Sequence, residues 1–115
     1  MEKWINMVEV HLTDPSREKE VEAWFQNVHI PDVLKTPGFV AAKRYVMKEP
    51  RNGRGKYVVI LDIESDDIER TLAIREEHIK KEREQGRSSD KVFPGLMLPI
   101  WQWVVCKQVQ TSSEE

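Results

Sequence analysis

Two stretches of this chain are apolar on both of the faces that a β-strand presents. Residues 57–63 (YVVILDI) are apolar at six of seven positions, and the run from Ile100 to Cys106 is broken only by Gln102. Successive side chains of a strand point to opposite faces, so both faces of these strands need a cover. Any fold for this chain must therefore find two covers for one sheet.

The other segments supply one of them. Residues 4–12 (WINMVEVHL) alternate imperfectly and read as a first strand, 39–48 (FVAAKRYVMK) as a second and 100–109 as a fourth. Between the first two, Asp14-Pro15 is a helix start, with Asp14 as N-cap and Pro15 in the first turn. On the helical wheel that follows, Val21, Trp24, Phe25 and Val28 form one stripe with His29 at its edge. Residues 50–55 (PRNGRG) are turn chemistry and predict a hairpin between strands two and three. Asp66 and Glu69 have capping-box spacing and predict a second helix to about Gln85. Residues 86–98 read as a long loop of the kind that covers a site. The order βαββαβ is the α+β, ferredoxin-like plan: a four-stranded antiparallel sheet with two helices on one face. The opposite face then calls for a second copy of the sheet, and the expectation is a homodimer closed face to face. One domain spans residues 1–110, and Thr111–Glu115 reads as a frayed polar tail.

Composition narrows the partners. The 18 basic and 20 acidic residues are interspersed, with a formal net charge of −2, so no basic stripe exists to follow a phosphate backbone and no nucleic-acid partner is expected. No apolar run approaches a membrane span and no signal-peptide core is visible, which leads to the expectation of a cytoplasmic protein without a membrane partner. Cys106 is the only cysteine, and within an apolar strand it reads as a small core residue. The three histidines lack H-x-x-x-H spacing, so no metal site and no cofactor is expected.

The chemistry concentrates in Trp24–Phe39 (WFQNVHIPDVLKTPGF). Pro31 biases Ile30 away from the α region and predicts a helix end near His29 or Ile30, then a further turn through Leu34. Pro37-Gly38 turns the chain into the second strand. His29 then has two readings: an imidazole capping the last carbonyls of a helix, or a general acid/base beside an apolar cavity.

With this element order and the segment W-F-x-N-x-H-I-P-D-V-L-x-x-P-G-F-V-x-A-x-R-Y (Trp24–Tyr45), the chain resembles the dimeric α/β-barrel superfamily, and within it the EthD-like small proteins. The resemblance implies a ferredoxin-like protomer, a dimer whose two sheets form a barrel, and a pocket between sheet and helices. It also implies a choice among cofactor-independent monooxygenases, polyketide cyclases, muconolactone isomerases, dehydratases, haem-degrading enzymes and proteins without known activity, because a fold does not select a reaction. Of the superfamily's functional residues, only the histidine of the H-x-P motif is carried over, onto His29.

The expected pocket has His29 as its acid/base, with Trp24, Phe25, Val28, Tyr45 and Arg75 around the ligand. Arg75 falls inside the stripe of Ile68, Leu72 and Ile79. It either pairs with a carboxylate such as Glu9 or Asp62, or binds a substrate carboxylate or enolate. Arg44 carries the same two readings, on the opposite strand face from Tyr45. Glu9 and His11 share a face as an edge ion pair or a dyad. His78, among Glu76, Glu77, Lys80 and Lys81, reads as solvated. Trp101 and Trp103 share a face and either floor the pocket or seal the dimer. The functional expectation is a homodimer binding a small apolar metabolite, aromatic or polyketide-like. His29 would move a proton without a cofactor in an isomerase, cyclase, dehydratase or monooxygenase type of reaction. The alternatives are a non-catalytic binding or stress-response module, and a haem protein with His29 or His11 as axial ligand.

Overall fold

A computed structural model of the chain describes residues 1–49 and 56–113, the side chains of 98–103 excepted. The expected turn at 50–55, the face shared by Trp101 and Trp103, and the last two tail residues lie outside the described residues. Strand β1 (Lys3–Leu12) leads through a 3-10 turn (Pro15–Arg17) into α1 (Glu18–Trp24), a π-helical turn (Phe25–His29) and α2 (Ile30–Leu34). Then follow β2 (Phe39–Val46), β3 (Tyr57–Glu64), α3 (Ile68–Glu84), the short α4 (Ser89–Val92) and β4 (Met97–Lys107). The strands pair antiparallel in the order β2-β3-β1-β4. This is the ferredoxin-like arrangement that the element order predicts.

The core lies between the sheet and the helices. Val10 and Leu12 of β1 and Val59, Leu61 and Ile63 of β3 are buried against Val21, Trp24, Phe25 and Val33 of the first helical segment. Burying such side chains stabilises by roughly 1.5–3 kcal/mol each. At the alternate positions of β1 and β3, Ile5, Met7, Val58 and Ile60 are half-buried. Cys106 pairs with Ile5 across β1 and β4 and is exposed. The expectation of a core cysteine is therefore corrected: an apolar strand says nothing about which of its faces the helices cover.

Two helix boundaries differ from the sequence reading. The N-cap of α3 is Asp67, whose side chain accepts the Arg70 N–H at 3.2 Å, while Asp66 accepts from the Glu2 N–H at 3.2 Å. The cap thus falls one residue later than the Asp66/Glu69 spacing implies. The larger correction concerns Pro31. The helix does not stop at His29 or Ile30 but continues to Leu34, with Ile30 itself in the α region at φ −61° and ψ −46°. The device is the π turn, in which the Ile30 N–H reaches back five residues to the Phe25 carbonyl. Pro31 brings no N–H, and its ring needs room at the carbonyl four residues back. A wide turn just before it gives that room, so the chain passes the proline without a break.

One glycine fixes the entry into the sheet. Gly38 has φ +93°, and a Cβ there would meet the Thr71 methyl at 2.9 Å, so α3 can pack close to the start of β2 only over glycine.

Candidate functional site

The π turn decides where His29 points. In an α-helix, residues five apart lie about 140° apart around the axis, which is why the wheel puts His29 at the edge of the Trp24 stripe. A turn closed by an i→i+5 hydrogen bond brings such residues nearly into line. The His29 ring accordingly stacks on the Trp24 indole, with centroids 4.7 Å apart and planes at 14°. Phe25 meets the imidazole edge-on at 5.5 Å. His29 is therefore not a capping residue, because the helix does not end there.

These three rings form one wall of a cavity of about 260 Å³. Val8, Val10, Val59 and Leu61 form its floor on the sheet, and Arg75, Ile79 and Glu82 of α3 stand opposite. Ser88, Ser89, Asp90 and Met97 close it from the segment after α3. That segment is held down at two points. The Trp24 indole N–H donates to the Arg87 carbonyl at 2.9 Å, and the Arg87 guanidinium grips the buried Asp32 carboxylate at 2.8 and 3.0 Å. Phe93 also packs edge-on against Trp24 at 6.0 Å. The expected covering loop is thus a short helix with its own apolar anchors, Phe93 and Leu96, in the core.

The site's electrostatics follow from burial. Loss of water around the ring, reinforced by the positive charge of Arg75, pulls the His29 pKa down to about 4, with Asp32 opposing weakly. The imidazole is neutral at physiological pH and can accept a proton. Arg75 is 2% exposed. It does not pair with Glu9 or Asp62, the partners considered from sequence, but donates to Glu82 at 2.8 and 3.1 Å and to the Thr36 hydroxyl at 3.2 Å. Asp62 is instead paired with Lys43 at 2.6 Å. Nor is His78 fully solvated: its Nδ1 lies 3.3 Å from the Thr36 hydroxyl. Glu82 and Thr36 are the site residues that sequence reasoning misses. The i,i+7 spacing of Arg75 and Glu82 on one helix face is the signal that could have found the first.

The structure brings Trp24, Phe25, His29 and Arg75 together in the cavity wall. Val28 is half-buried against the core and outside that wall. Tyr45 lies on the far face of the sheet at 51% exposure, away from the cavity. Glu9 and His11 alternate along β1 with the floor residues Val8 and Val10, and Glu9 is wholly buried. Arg44 is on the helix side, its guanidinium 4.4 Å above the Phe25 ring and 5.9 Å from the Tyr57 ring centroid. The Arg44 Nε and the Tyr57 hydroxyl are buried without a hydrogen-bond partner among the described residues. Among the same residues, no group of three histidine, cysteine or carboxylate side chains stands close enough to hold a metal ion. No helix among them is long and apolar enough to cross a membrane.

Comparison with solved structures supports the same architecture. HapK from Hahella chejuensis is similar over 100% of this chain and 99% of its own, at 17% identity and a TM-score of 0.65. An EthD family protein from Bacillus halodurans matches over 94% of this chain and 99% of its own, at 14% identity and a TM-score of 0.57. A point mutant of SnoaB, a cofactor-independent oxygenase from Streptomyces nogalater, matches over 98% and 97%, at 22% identity and a TM-score of 0.50. The protomer fold is thus the ferredoxin-like one that these solved structures share. No protein of curated function matches the sequence. Residues 4–93 match the family described as Domain of unknown function (DUF4286), and the chain belongs to that family.

Proposed function

We propose that the chain binds a small, largely apolar organic metabolite, aromatic or polyketide-like, between its sheet and helices, and that His29 takes a proton from it without a cofactor. The observation that carries this reading is a neutral imidazole held by two aromatic rings in the wall of an apolar cavity. An acidic C–H or O–H of the ligand would give its proton to an imidazole nitrogen, leaving its electron pair on the ligand as an enolate or phenolate. A base with a pKa near 4 is weak in the empty site, but the anion formed beside it raises that pKa again by direct attraction. The remaining Arg75 N–H groups, fixed by Glu82 and Thr36, would stabilise the same anion. Isomerisation, cyclisation, dehydration and oxygenation all begin from such an anion. The description of SnoaB as a cofactor-independent oxygenase fits that chemistry.

Deuterium incorporation from heavy water into a panel of 1,3-diketones and hydroxy-aromatics, followed by NMR, tests the shared first step. His29→Asn should leave binding intact and slow exchange by roughly 10²–10⁴-fold. Equal exchange in the variant would remove His29 from the chemistry, and binding without exchange in the wild type would leave the non-catalytic binding module as the better account.

The half-buried apolar residues of the far sheet face, with Val104 and Tyr45 exposed beside them, support pairing of two chains through that face. Several similar structures are described as dimeric ferredoxin-like proteins. Light scattering at micromolar concentration should give twice the chain mass; a stable monomer would refute the pairing.

A further inference from the structure

Behind the aromatic wall of the cavity lies a polar pair that no contact among the described residues satisfies. Arg44 is the cross-strand register partner of Val59, which forms part of the cavity floor. Its guanidinium rests on Phe25, a cavity-wall residue, and so stands one ring's thickness from the cavity. Tyr57 is 8% exposed, on the same face of β3 as Val59. The Arg44 Nε–H and the Tyr57 hydroxyl are both buried and both lack a partner there. Two such groups in one neighbourhood call for an explanation, since buried donors are nearly always matched.

Charge sharpens the point. Lys56, whose ammonium lies 5.3 Å from the Tyr57 ring, is paired with Glu18 at 3.5 Å. Arg75 across the cavity is neutralised by Glu82. The Arg44 guanidinium rests on the Phe25 ring face, a weak substitute for the acceptor that its buried Nε–H lacks among the described residues. Of the two arginines, Arg44 is the one with a buried N–H that no described residue accepts.

We propose that Arg44 and Tyr57 form an oxyanion subsite for an aromatic carboxylate. The ligand's ring fills the cavity, and its carboxylate displaces Phe25 from the guanidinium. One carboxylate oxygen accepts from Arg44 Nε–H and the other from the Tyr57 hydroxyl. A guanidinium edge and a phenol suit the two oxygens of a carboxylate. The subsite rests on the reading of the cavity as a ligand site and adds the ligand's charge to it.

Calorimetric titration of the full chain with 2-naphthoate and with its uncharged isostere 2-naphthamide tests the subsite. The wild type should bind the acid at least about tenfold more tightly than the amide, the least expected of a charge-assisted contact. Arg44→Met should bring the two affinities to within about threefold, and Tyr57→Phe should narrow the gap by a smaller factor. Equal affinities in the wild type overturn the subsite and leave the cavity reading standing. Binding of neither probe overturns both. A preference that survives Arg44→Met overturns the subsite. Should that variant not fold, an undiminished preference in Tyr57→Phe does so instead.

Discussion

The two arginines beside the cavity carry the same charge and differ in what answers it. Arg75, on α3, has Glu82 and Thr36 as partners and sits wholly inside the fold. Arg44, on β2, has a phenylalanine face below it and a buried Nε–H with no acceptor among the described residues. The first end of the cavity is therefore finished as structure. The second keeps a buried donor that no described residue accepts, which the proposed carboxylate would satisfy. His29 stands in the aromatic wall, which shares Phe25 with the Arg44 end.

The most severe way to break this contrast is to make the finished end resemble the unfinished one. Glu82→Leu strips Arg75 of its carboxylate while leaving the guanidinium buried, and removal of one partner of a buried pair costs about 3–5 kcal/mol. Urea denaturation should show that loss as a lower midpoint at unchanged slope. The double variant Arg75→Met with Glu82→Leu should recover most of it, because an apolar pair of similar shape leaves no charge stranded. If Glu82→Leu alone were neutral, the ion pair would not be what holds this end, and the contrast would fail.

A smaller effect separates His29 from both ends. The unfolded imidazole takes up its proton near 6.5, whereas the folded one does so only near 4. Between those values the unfolded state holds more protons. Stability therefore falls as the pH drops from about 6.5 to about 4, by at most about 3 kcal/mol for a shift of this size. Above pH 6.5 both states are neutral at this group and the contribution is flat. Stability measured against pH in the wild type and in His29→Asn isolates it, since carboxylates titrating in the same range do so in both proteins. The difference curve should slope only inside that window. The same shift places the acid limb of any His29-dependent rate near pH 4 in the free protein rather than near 6.5.

Much of this architecture is legible in the chain, and the exceptions share a cause. Strand order, the Asp14-Pro15 start and the apolar stripe of the first helix follow from periodicity and capping, which are local. The aromatic pair Trp24-Phe25 and the H-x-P segment mark the cavity wall for the same reason. The expected stop at Pro31 fails because the rule for residues before proline assumes an α-helical hydrogen-bond pattern, and one π turn suspends that assumption. Without the turn, the stacking of His29 on Trp24 is invisible and capping stays a live alternative. The pairing of Arg75 with Glu82 rather than Asp62 follows from strand parity, because Asp62 shares the far face of β3 with Val58 and Ile60, where Lys43 holds it. The exposure of Tyr45 follows from parity once Arg44 is known to face the helices. Which of the two does so is settled by the register with β3, not by either residue.

The smallest predicted effect is the most direct probe of the unfinished end. Tyr57→Phe removes one oxygen and no contact, because that hydroxyl is buried and has no hydrogen-bond partner among the described residues. Most tyrosine hydroxyls in a core are engaged, and losing one costs about 0.5–1.5 kcal/mol. Here the folded state has already given up water at the hydroxyl without a replacement. Its removal should leave the stability of the ligand-free protein unchanged within about 0.5 kcal/mol, or raise it. Thermal unfolding in the absence of ligand reads this directly. A loss of about 1 kcal/mol or more would mean that the Tyr57 hydroxyl already has a partner in the free protein. The Arg44 end would then be as complete as the Arg75 end, and a ligand carboxylate would have nothing there to satisfy.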